Sequence, residues 1–154
     1  MNNHTMADLV TTTSIGRVLA RVGIDAAVSE SESRERRTCT AVVDAAGHLV
    51  CFERMDGAPF QTIALAQAKA FSVAGSLTAT HDYWAGIKDE PWLVHGVQRI
   101  EGLVVLGGGL PISYRGAIIG AIGVSGQSTM AEDRAIAEAA VSAILGRLDG
   151  KTLP

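Results

Sequence analysis

Residues 38–54 read TCTAVVDAAGHLVCFER, and the fold follows from how this stretch is parsed. Thr38–Val43 is β-branched and reads as a strand. Asp44-Ala-Ala-Gly47 reads as a turn, and His48–Met55 as a second strand, so the two predict a β-hairpin. Hairpins pair antiparallel, which sets the character of the sheet. A second hairpin is predicted from Pro111–Tyr114, a turn at Arg115-Gly116, and Ala117–Ser125. Leu103–Leu106 reads as a further short apolar strand, broken by Gly107–Gly109, which brings the expected strands to five. Turn length decides the relation of Cys39 to Cys51. A two-residue turn sets them on opposite faces, and a three-residue turn puts them diagonally on one face.

Helices are predicted around these strands. Thr11 to about Ser33 is capped by Ser14, with Ile15, Val18, Leu19 and Val22 at helical spacing. Phe60 to Ser76 carries the stripe Ile63, Ala66, Ala70, Val73, Ala74 and Leu77. At ~100° per residue Lys69 falls at the edge of that stripe, on the boundary between buried and exposed. Residues 78–102 are irregular, with a short helix expected near Asp82–Ile87. Thr129-Met-Ala-Glu132 fits a capping box opening a last helix to about Leu148. Its apolar residues (Ile136, Ala140, Ala143, Ile144; Val141, Leu145, Leu148) cover enough of the helix for burial on two sides. The expected order is α-β-β-α-(irregular)-β-β-β-α, an α+β fold with helices flanking the sheet.

The composition excludes several classes. One domain is expected from 154 residues, and 47% hydrophobic residues exclude wholesale disorder. No stretch reaches the ~18–20 apolar residues of a membrane span. A net charge of −3 argues against nucleic acid as a partner. Two cysteines make no disulfide framework. Only 19% of residues are charged and 17 are Gly, which suits a homo-oligomer with reduced exposed surface. Residues 1–6 are polar and lack the apolar core of a signal peptide, so the expectation is a cytoplasmic protein with reduced thiols.

The candidate chemistry is scattered. Gly107–Gly109 lacks the following helix and Lys-Ser/Thr of a phosphate loop, and reads as a bend allowing close approach. Gly120 and Gly123 face opposite sides of one strand, so each makes room for a helix, a ligand or a neighbouring subunit. Arg54 and Asp56 share a face if the strand persists. They offer a fork for a carboxylate, or they pair with each other or cap the next helix. His81 and His95, with Tyr83, Trp84 and Trp92, could line a pocket for a flat apolar ligand. Either imidazole could ligate haem iron or act as a general base. His48, after a turn, is expected in solvent.

Several motifs together resemble the GlcG/HbpS-like family, the haem-binding or "haem-degrading" domain found also at the C-terminus of PduO-type corrinoid adenosyltransferases. They are Val42-Val-Asp44 with Gly47 and Leu49; Arg54-Met-Asp-Gly-Ala58; Ala68-Lys69-Ala70; Gly108-Gly-Leu-Pro111-Ile; Gly116; and Gly120–Gly126 followed by Asp133 and Ile136-Ala137. The resemblance implies a profilin-like fold with an antiparallel sheet. It also implies homo-oligomers from dimer to octamer, and members that bind haem or accompany catabolic genes. It places the domain at 10–148, with 1–9 a disordered extension and 149–154 a tail.

Two functions are carried forward. The first is a homo-oligomeric binding protein for a small flat or anionic molecule, haem the leading candidate. Arg54, Asp56, Trp84, Trp92, Gly108, Gly109, Pro111 and Gly123 would line its site, and His81 or His95 would ligate iron if haem binds. The alternative is a cofactor-independent enzyme doing proton transfer on a small organic acid or ring-cleavage product. There Lys69, His81 and His95 are the catalytic candidates, with Arg54 helping to hold the anion. A purely structural accessory protein is a third reading, and the aromatic, His-containing segment argues against it.

Overall fold

A computed structural model describes residues 10–150; the expected extension at 1–9 and all but the first two residues of the expected tail lie outside them. Nine elements follow in order: α1 (Arg17–Ser33), β1 (Thr38–Asp44), β2 (Leu49–Arg54), α2 (Gln61–Ser76), α3 (Thr80–Ile87), α4 (Pro91–Val97), β3 (Gly109–Tyr114), β4 (Ala117–Gly126) and α5 (Met130–Leu148). The strands form one antiparallel sheet in the order β2-β1-β4-β3. The class is α+β, as expected, with four strands instead of five.

The missing strand is Leu103–Leu106. Gly108 sits at φ +111°, and residues 103–106 before it join no strand. The backbone N–H of Val104 donates to Ser72 Oγ of α2 at 2.7 Å and makes no ladder bond. An apolar run of four residues carries no information on which surface it will meet, and here it meets a helix.

Alternation along β1 divides the core in two. Val42 joins Ile112, Ile122 and Val124 on the face covered by α1 and α5, against Ile24, Ile136 and Ile144. Cys39, Ala41 and Val43 join Ala121 on the other face, under Ala66, Ala70 and Val73 of α2. The β1–β2 register pairs Cys39 with Arg54 and Val42 with Cys51. The cysteines therefore lie on opposite faces, one of the two open alternatives. The spacing agrees with neither simple turn, because the ladder shifts between Val42 and Val43.

Small residues bring α2 close to the sheet. A Cβ at Gly123 would run into the carbonyl of Ala66 and stand 2.6 Å from the backbone nitrogen of Ala70. Gly123 is thus occupied by helix packing. Gly120 faces the other way, onto Val43 O and Ile15.

Two helix starts differ in outcome. The capping box at Thr129 is present: Glu132 N donates to Thr129 Oγ1, and Thr129 N to Glu132 Oε2 at 2.8 Å. Ser14 does not cap α1, which begins at Arg17 after Gly16. Ser14 Oγ instead accepts the N–H of Ala45 at 2.9 Å, tying the chain entering α1 to the β1–β2 turn. The turn itself is an Asx-type turn closed by Asp44, whose Oδ1 accepts from Ala46 and His48.

Candidate functional site

Two neighbouring regions contain Lys69 and His81, two of the titratable side chains picked out from sequence. They lie on either side of residues 107–109.

The first is sealed. Lys69 is fully buried, not at the boundary its helical position suggests. Its Nζ donates to Asp133 Oδ2 at 2.7 Å and to the carbonyl of Val124 at 2.8 Å. Asp133 is 2% exposed, and its other oxygen accepts from Ser128 Oγ. Burial pushes the Lys69 ammonium below its ordinary pKa, and the Asp133 carboxylate holds it up. Burial likewise raises Asp133, opposed by Lys69 and Ser128. A charge pair this deep needs its other donors and acceptors engaged, and here two of the three ammonium donors and both carboxylate oxygens have partners. Angle counting along α2 could not find it, because the partner arrives from α5, 64 residues later.

Gly108 roofs this pair. A Cβ there would stand 2.7 Å from Val124 O, 2.8 Å from Asp133 Cβ and 3.1 Å from Lys69 Nζ. At Gly109 a Cβ would strike Thr80 Cγ2 and the Lys69 carbonyl, and the Gly109 N–H donates to Thr80 Oγ1 at 3.0 Å. The Gly–Gly step therefore joins α2, α3 and α5 at one point.

The second region is open. A cleft of about 450 Å³ is lined by His81, Trp84, Val105, Leu106, Gly107, Met130, Ala131 and Arg134. His81 and Trp84 lie three apart on α3, and Met130 and Arg134 four apart on α5, so each helix presents one face to it. Val105–Gly107 links the two. Most of the lining is apolar. His81 Nδ1 is buried with no hydrogen-bond partner among the described residues. Its Nε2 is 3.5 Å from Asp82 Oδ1, too long for a good hydrogen bond. An imidazole this uncommitted contrasts with the usual satisfaction of buried polar atoms. Arg134 uses Nε on Glu138 at 2.7 Å, one of its five N–H donors.

The other sequence candidates lie elsewhere. Arg54 and Asp56 line a different, polar cleft of about 390 Å³ with Val28, Glu32, Arg37, Glu53 and Met55. Arg54 does not pair with Asp56; its Nε and Nη2 both donate to the carbonyl of Ala58. Arg54 and Lys69 are therefore not brought together as one anion site. Trp92 and His95 are exposed on α4, outside the His81 cleft, and the Trp92 indole donates to Glu90 at 2.8 Å. Pro111 sits on β3 opposite Ala121. His48 is in solvent, as expected, 3.2 Å from Asp44. Of the lining residues, sequence reading singled out His81 and Trp84 but not Met130 or Arg134. The capping box fixes where α5 begins, and that alone could have directed attention to its first residue.

A family model described as "Haem degrading protein HbpS-like" matches residues 17–142. The chain belongs to the HbpS-like family. An uncharacterised 15.0 kDa protein encoded in the dhaT-dhaS intergenic region of Citrobacter freundii is 34% identical over 103 residues, 66% of this chain and 71% of that one. Curated PduO corrinoid adenosyltransferases match over 120 residues, about a third of their own length. Among solved structures, a double mutant of Streptomyces reticuli HbpS superposes with TM-score 0.80 at 30% identity, covering 88% of this chain and 90% of that one. A PduOC:haem complex superposes with TM-score 0.79 at 27% identity, covering 85% and 95%. Among the described residues of this HbpS-like chain no helix is long and apolar enough to cross a membrane.

Proposed function

We propose that this HbpS-like protein binds haem, or a flat anion of similar shape, in the cleft between α3 and the start of α5. The observation that carries the reading is His81: an imidazole on the wall of an apolar cleft, whose Nε2 makes only a long 3.5 Å approach to Asp82, next to an exposed indole and an arginine. Each fits one part of the ligand. Trp84 offers an aromatic face for the macrocycle. Val105, Leu106 and Ala131 cover its apolar surface. Arg134 offers remaining donors to a carboxylate edge. His81 offers a nitrogen lone pair to iron. Haem, once bound, supplies an iron centre open to axial ligation and redox chemistry. The family description and the haem complex of PduOC support the same class of ligand. Haem degradation does not follow from this geometry.

Lys69 and Asp133 act as a pin beneath the cleft, fixing Gly108 and the first turn of α5. Arg54, Asp56, Trp92 and His95 stand outside the binding site in this reading. Homo-oligomerisation belongs to the proposal too: exposed Val18 with Leu19, Val22 and Leu148 lines an apolar groove on the α1–α5 side.

The test is a haemin titration of the purified protein followed by absorbance, repeated with His81→Ala and Trp84→Ala. Expected is a Soret shift saturating near one haem per subunit, weakened about tenfold or more in His81→Ala, equivalent to at least about 1.4 kcal/mol. A non-saturating response in the parent protein overturns the reading. Equal affinity in His81→Ala removes His81 from the site.

A further inference from the structure

The cleft holds two potential iron ligands, not one. Of its eight lining residues, two have side-chain lone pairs that iron can use: His81 and Met130. Trp84 is a donor only, Arg134 stays protonated, and the rest are aliphatic or Gly. The two come from different elements, α3 and α5, which share the cleft without an extensive packed interface.

Met130 is not consumed by the core. It is 48% exposed, although a large apolar side chain at a helix start gains by burial. Its backbone, in contrast, is fixed. Thr129 and Glu132 close the capping box on either side of it, and the Lys69–Asp133 pair anchors the same turn. Gly107 lies against it so closely that a Cβ there would stand 3.3 Å from Met130 Cβ. A fixed backbone with a free, unbranched thioether gives Sδ reach without moving the helix.

Resting on the haem reading, we infer that Met130 supplies the second axial ligand, so that iron in this cleft is six-coordinate with one imidazole and one thioether. Thioether and imidazole together raise the reduction potential of haem iron. With both axial positions filled, no position is left open for oxygen.

The experiment compares parent protein, Met130→Leu and His81→Ala, each loaded with haemin. The parent should give a low-spin ferric spectrum with the weak near-infrared band of sulfur-to-iron charge transfer. Met130→Leu should lose that band, turn high-spin and shift to a lower reduction potential, with haem held less tightly through the single remaining ligand. Its ferrous form should take up carbon monoxide without the lag set by thioether dissociation in the parent. A parent that is already high-spin, or a Met130→Leu protein with unchanged spectrum and potential, overturns the second ligand while leaving haem binding intact. A parent that does not bind haem saturably overturns both.

Discussion

Lys69 and His81 are neighbours across the Gly107–Gly109 segment, and they are opposites in how their polar atoms are used. Lys69 has no exposure and is bonded to a carboxylate and a carbonyl. His81 lies at the wall of an open cleft with one ring nitrogen buried and unpaired. The residue that stands out more in sequence, a Lys beside a helical apolar stripe, is the committed one. The difference teaches that a titratable group near a site is a candidate for chemistry only when its partners leave it something to do.

The largest effect should come from breaking the sealed side. Lys69→Met leaves Asp133 buried without its cation, which costs about 3–5 kcal/mol. At about 2–4 °C per kcal/mol for a domain of this size, Tm falls by roughly 10 °C, readable by thermal melting. Lys69→Met with Asp133→Leu removes both charges and should recover most of that loss. A single variant that melts with the parent would show the pin carries no weight.

Gly108→Ala tests the roof. It forces a side chain into φ +111° and against Val124 O and Asp133 Cβ, for a cost of about 1–3 kcal/mol in denaturant unfolding. Weakened haem binding should accompany it, since the cleft floor moves with the roof.

On the open side the sign of the contrast reverses. His81→Ala should cost much less stability than Lys69→Met, because the ring makes no good hydrogen bond to lose. Binding, not Tm, should register it. A large drop in Tm would put His81 in the same class as Lys69 and erase the comparison.

The smallest effect sits at the start of α5, which serves both sides. The Thr129 backbone N–H, and then the Arg36 guanidinium, hold the Glu132 carboxyl down to about 2 from 4.5. A carboxyl lowered in the folded state adds stability that is full above about pH 4.5 and is lost as pH falls toward 2. An NMR titration should give that low midpoint. Glu132→Gln should flatten the acid limb of the stability profile without touching neutral pH binding of Lys69 to Asp133.

Local patterns made much of the fold legible. The 38–54 hairpin, the stripe on α2 and the capping box at 129–132 each depend on neighbours in sequence. Leu103–Leu106 was misread because its partner, Ser72, is fixed by tertiary packing. The site was legible in part. His81 and Trp84 stand out as an aromatic and imidazole pair at helical spacing. Met130 and Arg134 become visible only when β4 and the 103–108 segment deliver α5 to α3. Arg54 was readable as a residue but not as a donor to the carbonyl of Ala58.

The strand order β2-β1-β4-β3 has a consequence for how the chain acquires its shape. The central ladder pairs residues 38–44 with 120–126. The first hairpin can close early, but Ala41–Val43 have no partner strand on their other side until β4 is made. Joining segments so far apart requires a large loop to be closed before any contact rewards it, which slows folding. During synthesis the nascent chain must keep an unpaired β1 edge from other strands until its C-terminal third emerges. Truncation before β4 should give an aggregating product instead of a smaller folded unit.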